Sequence, residues 1–161
     1  MSLTLNGATG AVYSPDILTV SKIVEADQSV ISSTALVTVP QFTMPIGINQ
    51  RVLLRYVIQF SAGATGDLKY FVDAPASPTS FRQASLSVDP AGAVAGGAIL
   101  TSESNTASVV SAAAGGGLLF LNAVIANGTT AGDVIFQFAQ NSSEAVNTTI
   151  RAGSYLEYRY F

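Results

Sequence analysis

The ten Asp and Glu residues are the first candidates for chemistry in this chain, because a carboxylate pair can work as acid and base on a glycosidic bond. Asp67 and Asp73 flank one strand-like segment, while Glu103 and Asp133 stand far apart in sequence. No spacing marks any two of them as a pair, and solvated surface carboxylates are the better reading. Glu25 and Asp27 are close enough to share a hard cation, yet the Asp-x-Asp-x-Asp-Gly spacing of a calcium loop is missing.

Histidine and cysteine are both absent. That removes the commonest general base, the commonest metal ligand and the side chain that titrates near neutrality. A Ser-His-Asp arrangement is impossible. A Ser-Lys pair would need Lys22 or Lys69 in a pocket, and nothing around either residue suggests one. The glycines of 92–97 and 115–117 lack the Gly-Lys-Ser/Thr ending and the strand-to-helix context of a phosphate loop. Asn127, Asn141 and Asn147 each begin a glycosylation sequon, as chance allows in a chain rich in Asn, Ser and Thr. The sequence therefore predicts no catalytic, cofactor-binding or metal-ligating residue, no cofactor, and a protein that is not an enzyme.

Tyr155, Tyr158, Tyr160 and Phe161 form an aromatic cluster at the C-terminal end. Such a cluster could be a carbohydrate platform or a core and subunit contact, where aromatics are enriched. Alternation puts Leu156, Tyr158 and Tyr160 on one face and Tyr155, Glu157, Arg159 and Phe161 on the other. Aromatics on both faces favour a strand covered on both sides, hence core plus subunit contact.

The elements that would position these residues are short strands. Residues 51–60 are the cleanest case: Val52, Leu54, Tyr56, Ile58 and Phe60 point one way, Arg51, Arg55 and Gln59 the other. Further strands are expected over 17–25, 36–44 (bent at Pro40 and Pro45), 67–72, 81–88, 133–139, 145–151 and 154–161, with shorter ones near 99–102 and 107–111. Residues 118–126 are almost wholly apolar and read as a central strand buried on both faces. Asn127-Gly128, Asn141-Ser-Ser and Ala152-Gly153 mark turns. Gly115-Gly116-Gly117 reads as a flexible loop or a tight approach of two backbones. Eight to ten strands at this spacing, with no amphipathic helix, predict an all-β antiparallel sandwich or barrel. Residues 1–16 read as an N-terminal arm and 17–161 as one domain.

Composition bounds the function. The chain has 161 residues, 48% apolar but only 11% charged, against about 25% charged in an average domain. Monomers rely on charge for solubility, so this surface predicts cover by partner subunits. Net charge is −3 and the seven Lys and Arg are scattered singly, which predicts no nucleic-acid partner. No stretch approaches the roughly 20 apolar residues of a membrane helix, and no basic-then-apolar leader opens the chain, so neither a membrane partner nor a secretory signal is expected.

The run from Gly128 to Glu157 carries a more specific pattern: Thr-Ala-Gly-Asp-Val-Ile-Phe-Gln-Phe-Ala-Gln-Asn-Ser-Ser, then Thr148-Thr-Ile-Arg-Ala-Gly-Ser-Tyr-Leu156. It resembles a C-terminal pattern of tailed-bacteriophage virion proteins. Asp27-Gln-Ser-Val-Ile-Ser-Ser-Thr-Ala-Leu36 and Gly66-Asp-Leu-Lys-Tyr-Phe-Val-Asp-Ala-Pro75 resemble upstream pieces of the same family. The resemblance covers most of residues 22–161 and leaves out the arm and the Ala/Gly-rich stretch 91–117. It implies a jelly-roll module of a head decoration protein or a fibre, often trimeric. The function it implies is a capsid decoration (cement) protein, made in the host cytoplasm and set on the virion's capsid surface. Its expected partners are the major capsid protein and itself, as a homotrimer. The alternative it implies is a fibre or receptor-binding module that recognises host surface glycan.

Overall fold

The computed structural model describes residues 4–5, 12–13, 19–101, 107–110 and 115–161. Most of the predicted arm and Glu103 lie outside the described residues. Within the arm, β1 (Thr4–Leu5) and β2 (Val12–Tyr13) pair as an antiparallel ribbon.

The longest strand, β7 (Arg51–Ser61), organises the fold. Its alternation comes from the two-residue side-chain period of a pleated strand: Val52, Leu54, Tyr56, Ile58 and Phe60 are buried and Arg51, Arg55 and Gln59 are exposed. On one side β7 pairs with β12 (Gly117–Ala126) along its whole middle, and β12 pairs in turn with β9 (Ser80–Val88) and β9 with β10 (Val94–Leu100). On the other side two strands share its edge. β15 (Tyr155–Tyr160) pairs with Val52–Val57 and carries β3 (Val20–Ile23); β14 (Thr148–Ile150) pairs with Phe60 and Ser61 and carries β4 (Gln28–Val30).

The second sheet is smaller. β13 (Gly132–Ala139) pairs with β8 (Leu68–Asp73), and β8 with β11 (Ser108–Val110). The free side of β13 is shared by β5 (Val37–Thr38) and β6 (Met44–Ile46), with a 3-10 turn over Pro40–Phe42 between them. Pro40 sits in the first turn of that helix and Pro45 in an edge strand, the two places where a missing N–H costs least.

Every pairing is antiparallel, and two sheets pack face to face, so the chain is an all-β sandwich. The order is that of a jelly roll: β3/β4, β14/β15, β7, β12 in one sheet and β5/β6, β13, β8, β11 in the other. The β9–β10 hairpin is an addition that widens the larger sheet beyond β12. The low-complexity stretch supplies much of this addition, and its small residues have a geometric cause. A Cβ on Gly97 would stand 2.8 Å from the Ser85 carbonyl, and Ser85 Oγ accepts the Ala98 N–H at 3.1 Å. At the hairpin tip Asp89 Oδ1 accepts the N–H groups of Ala91 and Ala93, the side-chain turn that Asp favours. Gly116, at φ +144°, passes so near the Phe60 carbonyl that any side chain would collide, so the glycine run is a tight backbone approach.

Four aromatic rings lock the sheets together. Tyr56 reaches across from β7 to Phe42 (5.4 Å) and Phe136 (5.3 Å), and Tyr70 stacks on Phe136 at 6.1 Å. Such pairs add about 0.5–1.5 kcal/mol each beyond simple burial.

Candidate interaction surface

Among the described residues the acid–base candidates do not converge. Asp67 precedes β8, and its carbonyl accepts from Thr148 Oγ1; Asp73 ends that strand on the outer side of the small sheet. Asp133 is exposed at the start of β13. Asp27 is bonded to Arg151 Nη1 at 2.7 Å and to the Ala152 N–H at 2.8 Å, which hold its carboxyl below its ordinary range. Glu25 is exposed beside it, and among the described residues no three acidic side chains cluster as a metal site would need. Lys22 Nζ donates to the Thr43 carbonyl and Lys69 Nζ to the Thr34 carbonyl, each at 2.5 Å, so both ammonium groups are tied to backbone. Asn127 is buried, with its Nδ2 on the carbonyls of Gly47 and Thr130 at 2.8 Å, which puts that sequon out of reach. Asn141 and Asn147 are exposed.

An open groove of about 630 Å³ lies at one end of the sandwich, lined by Asp27, Asp89, Arg151 and Gly115–Gly117. Its two carboxylates are the ones already committed to Arg151, Ala152 and the hairpin tip. It offers shape without an available acid–base pair.

The outer face of the larger sheet offers more. Expected to be covered on both sides, β12 is not: Leu119, Leu121, Ala123 and Ile125 fill the core, while Leu118, Asn122 and Val124 face outward and are exposed. β12 is central along the hydrogen-bonding direction, but among the described residues no layer lies over its outer side. Leu86, Phe120, Val57, Tyr155 and Ile23 stand opposite one another on five successive strands and make one apolar row. Leu86 is 44% and Ile23 56% exposed, and the three between them are half-buried by their neighbours. The flanking rows add Leu118 on one side and Ile99, 81% exposed, on the other, where it shares its row with Asn122, Arg55 and Glu157; Val124 and Leu53 lie one row beyond. An apolar row that runs across five strands is what interaction sites look like, whereas scattered exposed residues are ordinary.

Charge on this face is one-sided. Arg51, Arg55, Arg82 and Arg159 project from it, four of the chain's seven cationic side chains. Glu157 is its single carboxylate among the described residues, 3.7 Å from Arg55 across the β7–β15 pair. Residues scattered singly in sequence are thus gathered by the sheet.

The C-terminal aromatics divide between the two sides. Tyr158 is buried and Tyr160 turns inward beside it at 5.6 Å, its hydroxyl donating to the Pro45 carbonyl. Tyr155 joins the outer row, and Phe161 is exposed. The core half of the sequence reading holds, and among the described residues the outer half is open rather than covered.

Comparison with known proteins adds little. No protein family matches the chain, and no curated protein matches it. Solved structures that match include the infectious bursal disease virus VP2 subviral particle, at 10% identity and TM-score 0.23, covering 100% of this chain and 47% of that one. The infectious bursal disease virus Gt strain structure matches at 10% identity and TM-score 0.24, covering 99% and 40%. The chain spans less than half the length of these structures, and at such TM-scores the likeness carries no argument.

Sequence reasoning missed the outer face as a surface. Its signal was present in residues 118–126, apolar at both parities, but a run of that kind fits a strand buried twice equally well.

Proposed function

We propose that this protein is a structural component of a tailed-bacteriophage virion, and in the sharper form a capsid decoration protein. It would oligomerise, as a homotrimer, and cement neighbouring subunits of the major capsid protein on the head surface. The observation that carries this reading is the apolar outer face of the larger sheet on a chain with so few charges. A surface of that kind costs solubility unless another protein covers it. The resemblance of the C-terminal strands to virion proteins supplies the setting, since jelly rolls by themselves serve capsids, lectins and enzymes alike. The carboxylates nearest the groove are spent on structural hydrogen bonds, which suits a protein that builds rather than converts.

Stabilisation would follow from mass action. A protein that binds the assembled lattice and not free capsid subunits lowers the free energy of the assembled state by its binding free energy. The glycan-binding alternative relied on the C-terminal aromatics, two of which are committed to the interior.

The test is copy number and location. Quantitative mass spectrometry of virions should find hundreds of copies, and labelled particles should show them on the head. A handful of copies at the tail tip, with binding of purified protein to host cells but not to heads lacking it, overturns the decoration reading.

A further inference from the structure

The chain carries a cover for the outer face of its larger sheet. The β1–β2 ribbon pairs with no other strand among the described residues; Leu5 stands opposite Val12 and Thr4 opposite Tyr13. A two-stranded ribbon alone in water is marginal and needs a further strand or layer to become stable. The outer face has the converse need, an apolar row with nothing over it among the described residues. We infer that residues 1–18 fold back over this face in their own chain, the ribbon lying across the apolar row, as a cover that a partner has to displace. The cover stands on the geometry of the chain, and its displacement rests on the structural-protein reading above.

Three observations favour the chain's own arm as the occupant. The first is direction. Thr19, the residue before β3, lines a hollow of about 280 Å³ with Leu53, Arg55, Glu157 and Arg159, all of which belong to the outer face. The chain therefore comes to β3 from the side of that face.

The second is reach. Tyr13, the last residue of the ribbon, is six residues from Thr19, and an extended chain of that length spans up to about 20 Å. Val57, in the middle of the apolar row, lies two strands in from β3 and about four residues along, or about 16 Å from Thr19 at ordinary strand spacings. The ribbon can thus lie over β15, β7 and β12 without strain on its tether.

The third is composition. Residues 1–18 contain Leu3, Leu5, Val12, Tyr13, Ile17 and Leu18 and no Lys or Arg. Asp16 is their one charged side chain, three residues or about 10 Å of chain before Thr19. Arg51, Arg82 and Arg159 have no ion pair among the described residues, and Arg159 lines the hollow beside Thr19. The arm brings apolar side chains to an apolar row and a carboxylate to unpaired cations, with no like charge to repel it.

The tether also decides between copies. A short tether holds a segment near its site at an effective concentration on the order of 1 mM. In a solution of about 10 µM protein, the chain's own arm outcompetes that of another copy about 100-fold.

Paramagnetic broadening in the whole chain tests this. The chain has no cysteine, so Ala8→Cys carries a single nitroxide between β1 and β2. In isotope-labelled protein the nitroxide should broaden the amide signals of Val57, Phe120 and Tyr155 at least five-fold more than those of Phe71 and Ile135 in the smaller sheet. A mixture of nitroxide-bearing chain without the isotope and isotope-labelled chain without the nitroxide should show no broadening. Leu5→Lys/Val12→Lys should cut the outer-face broadening at least three-fold. If that variant fails to fold, Asp16→Lys takes its place, with at least a two-fold reduction expected. Equal broadening of both sheets overturns the cover, as does broadening that survives these substitutions. Broadening in the mixed sample overturns it too, because the arm then belongs to another copy.

Heads lacking the protein test the displacement. The Leu5→Lys/Val12→Lys chain, its face uncovered, should bind them at least three-fold more tightly than wild type. Equal or weaker binding overturns the displacement. Heads that bind neither chain sink the decoration reading, while the broadening, measured on free protein, still decides the cover.

Discussion

Gln140 and Glu144 hold each other by two hydrogen bonds: Gln140 Oε1 accepts the Glu144 N–H at 3.0 Å and Gln140 Nε2 donates to the Glu144 carbonyl at 3.0 Å. The same amide accepts from the Ser33 N–H at 3.1 Å and donates to the Val146 carbonyl at 2.7 Å. Gln140 is wholly buried with four partners, so it shapes the connection between β13 and β14 from inside.

Replacing Gln140 by Leu leaves those backbone groups without their partner. Each buried unsatisfied group costs about 1–3 kcal/mol, so a loss of about 3 kcal/mol is expected in urea unfolding at constant slope. A loss below about 1 kcal/mol would show that the loop finds other partners.

Gly63 is tied to Glu144. The Glu144 carboxylate accepts the Gly66 N–H at 2.6 Å, and a Cβ on Gly63 would overlap it. Gly63→Ala should destabilise by about 1–3 kcal/mol through overpacking. In a Glu144→Ala background the same change should cost at least about 1 kcal/mol less, because the obstructing group is gone. Additive effects in the double-mutant cycle would refute the clash.

Tyr56 buries its hydroxyl without a hydrogen-bond partner among the described residues, and burial pushes its pKa upward. Its ring, by contrast, packs on Phe42 and Phe136. Tyr56→Phe keeps the ring and removes a desolvated polar atom. Thermal melting should show stability unchanged or raised by up to about 1 kcal/mol. A loss above about 1 kcal/mol would reveal a partner for the hydroxyl.

Asp27 titrates in the direction that makes acid destabilising. Its folded pKa lies below the ordinary value near 3.8, set first by the Ala152 N–H and then by Arg151. The folded state thus binds the proton less well than the unfolded chain. Its contribution is complete above the unfolded pKa and is lost as pH falls through the folded one. Stability measured from pH 7 down to pH 2 should fall less steeply for Asp27→Asn than for wild type. Parallel curves would show that the Arg151 contact does not distinguish the two states.

Much of the sandwich is written in local pattern. β7, β8, β9 and β13 follow from alternation, because a pleated strand with one buried face imposes a period of two on its residues. The turn at Ala152-Gly153 follows from residue types suited to tight turns, and Gly153 does adopt φ +87°, whereas Asn127-Gly128 opens the longer crossing 127–131 that carries the chain from β12 in one sheet to β13 in the other. The lack of histidine and cysteine constrains the chemistry whatever the fold.

Partnership between distant strands was decided only by tertiary structure. Nothing local tells β15 to lie between β7 and β3, or puts the β9–β10 hairpin beside β12, since strand pairing depends on contacts far apart in sequence. The outer face has the same origin. Arg51, Arg55, Arg82 and Arg159 are isolated in the chain and become neighbours on one face only when register aligns their strands. Residues 118–126 show the limit most plainly: their apolar character was legible, but whether the second side is covered depends on what packs over the sheet. The sequence by itself determined a charge-poor β-sandwich without the usual catalytic side chains. The fold determined which of its surfaces is left uncovered among the described residues.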